Sequence, residues 1–322
     1  MDSQVAITDR VVSPDIESSV LGKEISTNPD SETEVLLVWH KNVDQEYIDA
    51  FPKLKLIVRY GIGYDKVDIK YAASKGIRVA NNPDYCVNEV ADSALSFLLN
   101  AVRKTHAYDA LARNYAVGWQ ENVIQSIRPF SDIKVAAIGC GRIGTNFILK
   151  AKALGFQVAF YDPYLPLGAE QELGCNRYEN LESCLEDSDI VSLHLPLDES
   201  TRGLVDDNFL KKMKPGGSLI NTSRGEHIAN LNDIEAYMKS GRLSQVFLDV
   251  LPIEPPDFSS SLLRDWKQEA QWIKGRLMIS PHAAYYSTES AHQMRVSAAE
   301  TAKQFIEKRQ YRNLVNQHLI EG

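Results

Sequence analysis

At 322 residues, with 44% hydrophobic and 24% charged side chains, the chain is long enough for two folded domains and too apolar to be disordered. A formal charge of −8 without any dense Lys/Arg block repels a phosphate backbone over most of the surface, which excludes nucleic acid as a direct ligand. The four cysteines are scattered without a CxxC pair, so neither a zinc site nor a disulfide framework is expected.

The first residues, MDSQVAITDRVV, lack the charged and apolar regions of a signal peptide, and no later apolar run reaches the roughly 18 residues of a membrane span. The expected location is the cytoplasm, with no membrane partner and no metal. Short apolar runs then alternate with helix-like stretches, the pattern of a mostly parallel sheet. A first series comprises VAITD from Val5, EISTN from Glu24, VLLVWH from Val35, LKLIVRYG from Leu54 and IRVANN from Ile77. Next, VNEVADSALSFLLNAVRKTHAYDALARNY repeats apolar residues every three or four positions, from Val90 to Val102, and predicts one long helix; its place between the two series suggests a crossing between domains, though one more core helix fits the periodicity equally. A second series comprises KVAAIG from Lys134, FQVAFYD from Phe156, DIVSLHLP from Asp189, SLINTSR from Ser218, SQVFLDV from Ser244 and RLMISPH from Arg276. Its count suits a doubly wound nucleotide domain. The polar stretch PPDFSSSLLRDWKQEAQ reads as a surface excursion, and the helical tail beyond Pro281 as a return to the first domain. The fold class is α/β: a Rossmann domain and a smaller, flavodoxin-like substrate domain, both doubly wound, with a cleft between them. The expected boundaries are 1–101 with 286–322 for the substrate domain and 102–285 for the nucleotide domain.

Gly139, Gly141 and Gly144 form G-x-G-x-x-G directly after an apolar strand and before a helix. The first glycine permits the tight turn, the second lets backbone N–H groups approach a pyrophosphate, and the third allows close helix–strand packing. Arg142 can add a phosphate contact. Asp162 ends the next strand, about twenty residues on, where a carboxylate accepts from both ribose hydroxyls and repels a 2′-phosphate. The expected cofactor is NAD. Because a whole domain precedes this fingerprint, the L-lactate and malate type of dehydrogenase, which carries it near the N-terminus, does not fit.

Three polar residues follow late strands, at the edge where open α/β sheets place their chemistry. Arg224, in NTSRG, offers a planar fork for a carboxylate beside a carbonyl oxygen; an isolated arginine more often makes a structural ion pair. His282, in SPHAAYYS, can protonate that oxygen, though alone it could equally be a core or surface histidine. Glu254, in DVLPIEPP, would stabilise the imidazolium; alone it is a loop carboxylate.

Together these residues resemble the D-isomer-specific 2-hydroxyacid dehydrogenase family over nearly the whole chain. The resemblance implies an NAD-dependent enzyme that moves a hydride between nicotinamide and C2 of a small D-2-hydroxy or 2-keto acid, with Arg224 binding substrate, His282 as acid/base and Glu254 tuning it. It also implies that RYGIGYDKVD presents backbone N–H groups of Ile62 and Gly63 to the substrate carboxylate, with Arg59 assisting. Asp249 would orient nicotinamide, with Val90, Ile143, His194, Thr222 and His282 near the cofactor, and the enzyme would dimerise through the long helix. FYDPYL, ADSALSFLLNAVRKT and PHAAYYS look most like the C-terminal-binding-protein branch, which adds a second function class, an NAD(H)-sensing corepressor scaffold. Those corepressors commonly carry flexible tails, and this chain ending at Gly322 favours the enzyme. Tyr285 stands where that branch usually has tryptophan, and pocket size is expected to depend on Tyr60, Tyr85 and Tyr285. Formate dehydrogenases pair their histidine with glutamine, so Glu254 speaks against formate. The Glu254–His282 spacing is longer than usual, which the polar excursion supplies, and Asn230 or Asn232 is expected to cap the helix after RGEHIAN.

Overall fold

The computed structural model describes residues 4–113, 118–120, 123–124 and 127–321. Two compact units emerge, Met1–Cys86 with Tyr286–Gly322, and Val87–Tyr285. The first break therefore falls at 86/87 and not at 101/102. Burial explains the shift: helix Val87–Arg103 packs Ala91, Ala94, Phe97 and Leu98 into the core that holds Phe147 and Phe247 of the second unit.

In the first unit, β1 (Gln4–Ile7), β2 (Thr33–Val38), β3 (Leu56–Arg59) and β4 (Arg78–Ala80) form a parallel sheet in that order. The expected EISTN strand shrinks to one parallel bridge, Ser26 beside Ala6. Ser26 Oγ hydrogen-bonds both backbone groups of Asn28, at 2.8 and 3.0 Å, and this local turn competes with the ladder. Counting the bridge as a second strand gives the order 2-1-3-4-5, the flavodoxin-like winding. Side chains alternate between faces, so Val5, Ile7, Val35, Leu37 and Val58 build one core while Ala6, Leu36, Val38 and Ile57 build the other. The tail helix Thr288–Lys308 closes the first of these with Met294, Ala298, Ala302 and Phe305. Beneath it Glu17, with no exposed surface, accepts from Tyr60 Oη at 2.8 Å and from Arg295 Nε and Nη2 at 2.9 and 2.6 Å. Tyr60 is therefore a core residue, fully buried, and not the pocket wall expected of it.

The second unit is a seven-stranded parallel sheet of β5 (Lys134–Ile138), β6 (Gln157–Tyr161), β7 (Asn176–Arg177), β8 (Ile190–Leu193), β9 (Gly217–Asn221), β10 (Leu243–Leu248) and β11 (Leu277–Ile279). Its order is β11-β10-β9-β8-β5-β6-β7, so the winding reverses between β5 and β8. That reversal is where doubly wound sheets open a crevice for a ligand.

The long helix breaks at Lys104, whose φ is 51°, into Val87–Arg103 and Thr105–Arg113. Past Val102 the described helix buries no residue, so no packing holds the two segments to one axis; the last residues of the predicted span lie outside the described ones. The polar excursion is also not a bare surface loop: it folds into helix Ser261–Lys267, which buries Leu262 and Leu263 in the core. Among the described residues no helix is long and apolar enough to cross a membrane.

Candidate active site

The glycine turn sits at the reversal of the second sheet, between β5 and helix Arg142–Ala153. Gly139 has a φ of 85°, and a Cβ there would lie 2.5 Å from the His194 carbonyl oxygen. A Cβ on Gly144 would lie 2.1 Å from the Gly139 carbonyl oxygen. Neither position admits a side chain, which draws the helix N-terminus, with Arg142 and Ile143 in its first turn, close to the strand ends. At Gly141, by contrast, a Cβ would meet open space, leaving room for a group to approach the backbone. Asp162 Oδ2 accepts from Cys140 N–H at 2.9 Å and Oδ1 from Tyr164 N–H at 2.9 Å, so the carboxylate is locked to the turn it serves.

Buried polar atoms on the neighbouring strands complete this picture. His194 follows β8; its Nε2 pairs with Ser192 Oγ at 2.9 Å, while its buried Nδ1 has no partner among the described residues. Burial pushes this imidazole down to about 3, so it is neutral. Thr222, after β9, is 7% exposed, and its Oγ1 likewise lacks a partner. Such orphans cost free energy unless a ligand satisfies them. The two glycines, the open space at Gly141, the fixed Asp162 and the orphaned atoms together fit a dinucleotide. Val90, on helix Val87–Arg103, is buried in the same unit.

Arg224, Glu254 and His282 converge in this unit. His282 Nδ1 and Glu254 Oε2 are 2.7 Å apart. Glu254 Oε1 accepts from Leu251 N–H at 2.8 Å. Burial pushes the Glu254 carboxyl up, but the His282 bond and charge, the Leu251 N–H and the positive field of Arg224 outweigh it and hold the group below its ordinary range. Arg224 thus lies near enough to Glu254 to act on its charge. A contact missing from the sequence reading brings them together: a Cβ on Gly225 would fall 1.9 Å from the Leu251 carbonyl carbon and 2.5 Å from Pro252 N. Only glycine lets the Arg224 turn rest on the loop that carries Glu254. Glycine after arginine in NTSRG was visible in the sequence, but its contact across the fold was not. Asn230 caps the helix that follows, as one of the two expected candidates, accepting from Asn232 N–H at 2.9 Å.

Asp249, 2% exposed, serves the histidine directly. Its carboxylate accepts from Ser280 Oγ at 2.5 Å, Ala283 N–H at 2.9 Å and Ala284 N–H at 3.0 Å, and its carbonyl accepts from His282 N–H at 2.8 Å. These bonds hold His282 in a left-handed conformation, φ 53°, that turns its ring toward Glu254. Asp249, the expected orienter of nicotinamide, thus also clamps the histidine loop. Tyr285 stands edge-on to His282, ring centres 6.5 Å apart.

In the first unit, Arg59 is 7% exposed. Its Nε donates to the Gly63 carbonyl at 3.0 Å, and Nη1 donates to the carbonyls of Val38, at 3.2 Å, and Trp39. These bonds brace the loop whose N–H groups Arg59 is expected to assist. Asn81 Nδ2 donates to the Ile62 carbonyl at 2.7 Å, and Asn82 N–H to the Gly61 carbonyl at 3.2 Å. The loop's carbonyls are tied down, while the N–H groups of Ile62 and Gly63 have no acceptor among the described residues.

Comparisons with known proteins bear on the family and the fold. Residues 95–284 match the family described as D-isomer specific 2-hydroxyacid dehydrogenase, NAD binding domain. The chain is 32% identical over 281 residues to a glyoxylate reductase of Korarchaeum cryptofilum, covering 87% of this chain and 81% of that protein. It is 30% identical over 313 residues to C-terminal-binding protein 1 of Caenorhabditis elegans, covering 95% of this chain but only 40% of that one. Among solved structures, a glyoxylate reductase from Paecilomyes thermophila superposes with a TM-score of 0.84 at 24% identity, over 99% of this chain and 100% of that one. A D-lactate dehydrogenase from Aquifex aeolicus, complexed with NAD and lactic acid, gives a TM-score of 0.80 at 24% identity, over 99% and 98%.

Proposed function

The chain belongs to the D-isomer-specific 2-hydroxyacid dehydrogenase family, and we propose that it is an NAD-dependent oxidoreductase interconverting a small D-2-hydroxy acid and its 2-keto acid. The observation that carries this reading is the 2.7 Å His282–Glu254 pair with Arg224 acting on the same carboxylate. NAD is held at Gly139, Gly141, Arg142, Ile143, Gly144 and Asp162, with Val90, His194 and Thr222 beside it; when bound, nicotinamide supplies or accepts the hydride at C2.

The protein's own groups do the rest. The amides of Ile62 and Gly63 receive the substrate carboxylate, and the fork of Arg224 polarises the C2 oxygen. His282 gives that oxygen a proton during reduction and takes it back during oxidation, while ionised Glu254 holds the ring in place. Tyr285 supplies an aromatic wall next to the imidazole. The protein works as a cytoplasmic homodimer, with no nucleic-acid or membrane partner; its four free thiols suit a reducing compartment.

NADH oxidation in the presence of glyoxylate, hydroxypyruvate, pyruvate and bulkier 2-keto acids tests the assignment. Turnover above about 1 per second on one of them is expected. A second reading, an NAD(H)-sensing scaffold, is favoured by the likeness to C-terminal-binding protein 1. Tight NADH binding without turnover on any acid would select it.

A further inference from the structure

The C-terminal edge of the first unit's sheet gathers more positive charge than its carboxylate loop uses. β1, β2 and β3 run parallel, with Ile7 beside Leu37 and Val38 beside Arg59, so the segments leaving them emerge side by side. Asp9 stands at their centre. Its carboxylate accepts from Thr8 Oγ1 at 2.6 Å, Trp39 N–H at 3.1 Å and His40 N–H at 2.7 Å. Burial raises this carboxyl, but those bonds prevail and keep it ionised, below its ordinary range.

Cations gather around Asp9. Arg10 follows it directly, in a left-handed conformation with φ 70°. Arg59 donates to the Trp39 carbonyl from below. Lys66 is fixed through its carbonyl, which accepts from Val43 N–H at 2.8 Å. Arg10 and Lys66 are both exposed, and neither has an ion-pair partner among the described residues. His40 completes the group: its ring stacks on Trp39 at 6.2 Å and 26°, and Trp39 packs against Tyr60 at 5.4 Å. Desolvation, then the charges of Lys66 and Arg10, push this imidazole down to about 4, with Asp9 pulling the other way. The ring is therefore neutral at pH 7 and feels an excess of positive field.

Unmatched cations at an exposed sheet edge repel one another, and in a chain of net charge −8 they are a local exception. An anion placed among them relieves the repulsion. We infer that the substrate is a 2-keto or 2-hydroxy acid with a second anionic group, a carboxylate or a phosphate, received by Arg10, His40 and Lys66 beside the Ile62–Gly63 loop. This deepens the function proposed above and rests on it for the placement of the first carboxylate.

Two measurements separate the inference from its premise. In the first, imidazole titration of His40 is followed by NMR in the full chain without cofactor, its signal assigned by its absence from His40→Gln. D-malate or 3-phospho-D-glycerate is expected to raise the midpoint by about one unit or more, whereas D-lactate at equal concentration leaves it in place. The larger of the two responses tells carboxylate from phosphate. An equal response to D-lactate, or no response to either dianion, overturns the inference. In the second, kcat/KM for oxaloacetate or 3-phosphohydroxypyruvate is compared with that for pyruvate. The expected ratio is about ten or more, falling about ten-fold in Arg10→Gln and Lys66→Gln. A preference for pyruvate overturns the second-anion site and leaves the dehydrogenase intact. A His40 response with no turnover on any 2-keto acid removes the dehydrogenase and leaves the anion site standing.

Discussion

The two parallel sheets present their C-terminal edges in opposite ways. On the second, functional side chains satisfy one another: Glu254 holds His282, Asp249 clamps the histidine loop, and Gly225 seats the Arg224 turn on the Glu254 loop. On the first, donors are left open. Among the described residues the amides of Ile62 and Gly63 have no acceptor and Arg10 and Lys66 no ion-pair partner, while rigidity comes from behind, from the buried Glu17–Tyr60–Arg295 network. Proton transfer needs groups whose positions and charges are fixed before substrate arrives. Anion capture needs donors with nothing yet to bind, so the contrast fits the two tasks proposed.

This contrast predicts where each unit breaks. His282→Ala removes the proposed proton donor and leaves the glycine turn and Asp162 in place, so kcat should fall by about two to four orders of magnitude while NADH binding, followed by fluorescence, is retained. Turnover within a factor of three of the native chain would reject His282 as the acid. In the first unit the corresponding weak point is hidden. Arg295→Met leaves Glu17, with no exposed surface, facing only the Tyr60 hydroxyl, and should cost about 3 to 5 kcal/mol in urea unfolding. A loss below about 1 kcal/mol would show that the network is not the anchor of that edge. Gly225→Ala is next, since its Cβ would collide with the Leu251 carbonyl. It should cost about 1 to 3 kcal/mol of stability and lower kcat with it, because the displaced loop carries Glu254. Native stability and kcat together would mean that the loop yields without moving the carboxylate.

Much of the second edge was legible because its chemistry is written in short, local patterns. G-x-G-x-x-G after a strand fixes the turn, and Arg224, Glu254 and His282 each follow a strand that apolar runs had marked. What stayed hidden was what one loop does to another. Asp249 could be placed at a strand end, but its use as a clamp depends on Ser280, Ala283 and Ala284 lying beside it. In the first unit the strands were visible except for Ser26, where a serine turn overrode the apolar pattern. The helix break at Lys104 was hidden for a related reason, as residues past Val102 keep a helical period while burying nothing. Tyr60 was misjudged because nothing local to it reveals Glu17, which approaches from a distant helix.

Asp162 offers the smallest and most discriminating test, because it belongs to both kinds of design at once. Its carboxylate accepts two backbone N–H groups, a fixed internal role, and is also the acceptor proposed for the ribose hydroxyls. Asp162→Ala must therefore weaken both NADH and NADPH by loosening the turn, and affinity for either alone says little. The ratio separates the roles. Loss of the turn affects both cofactors equally, whereas loss of the negative charge removes an attraction for the 2′-hydroxyl and a repulsion against the 2′-phosphate. The NADH over NADPH preference in kcat/KM should fall about ten-fold, equivalent to about 1.4 kcal/mol. Should both cofactors lose equally, with the ratio unchanged, Asp162 is a brace for the glycine turn and cofactor choice is made elsewhere.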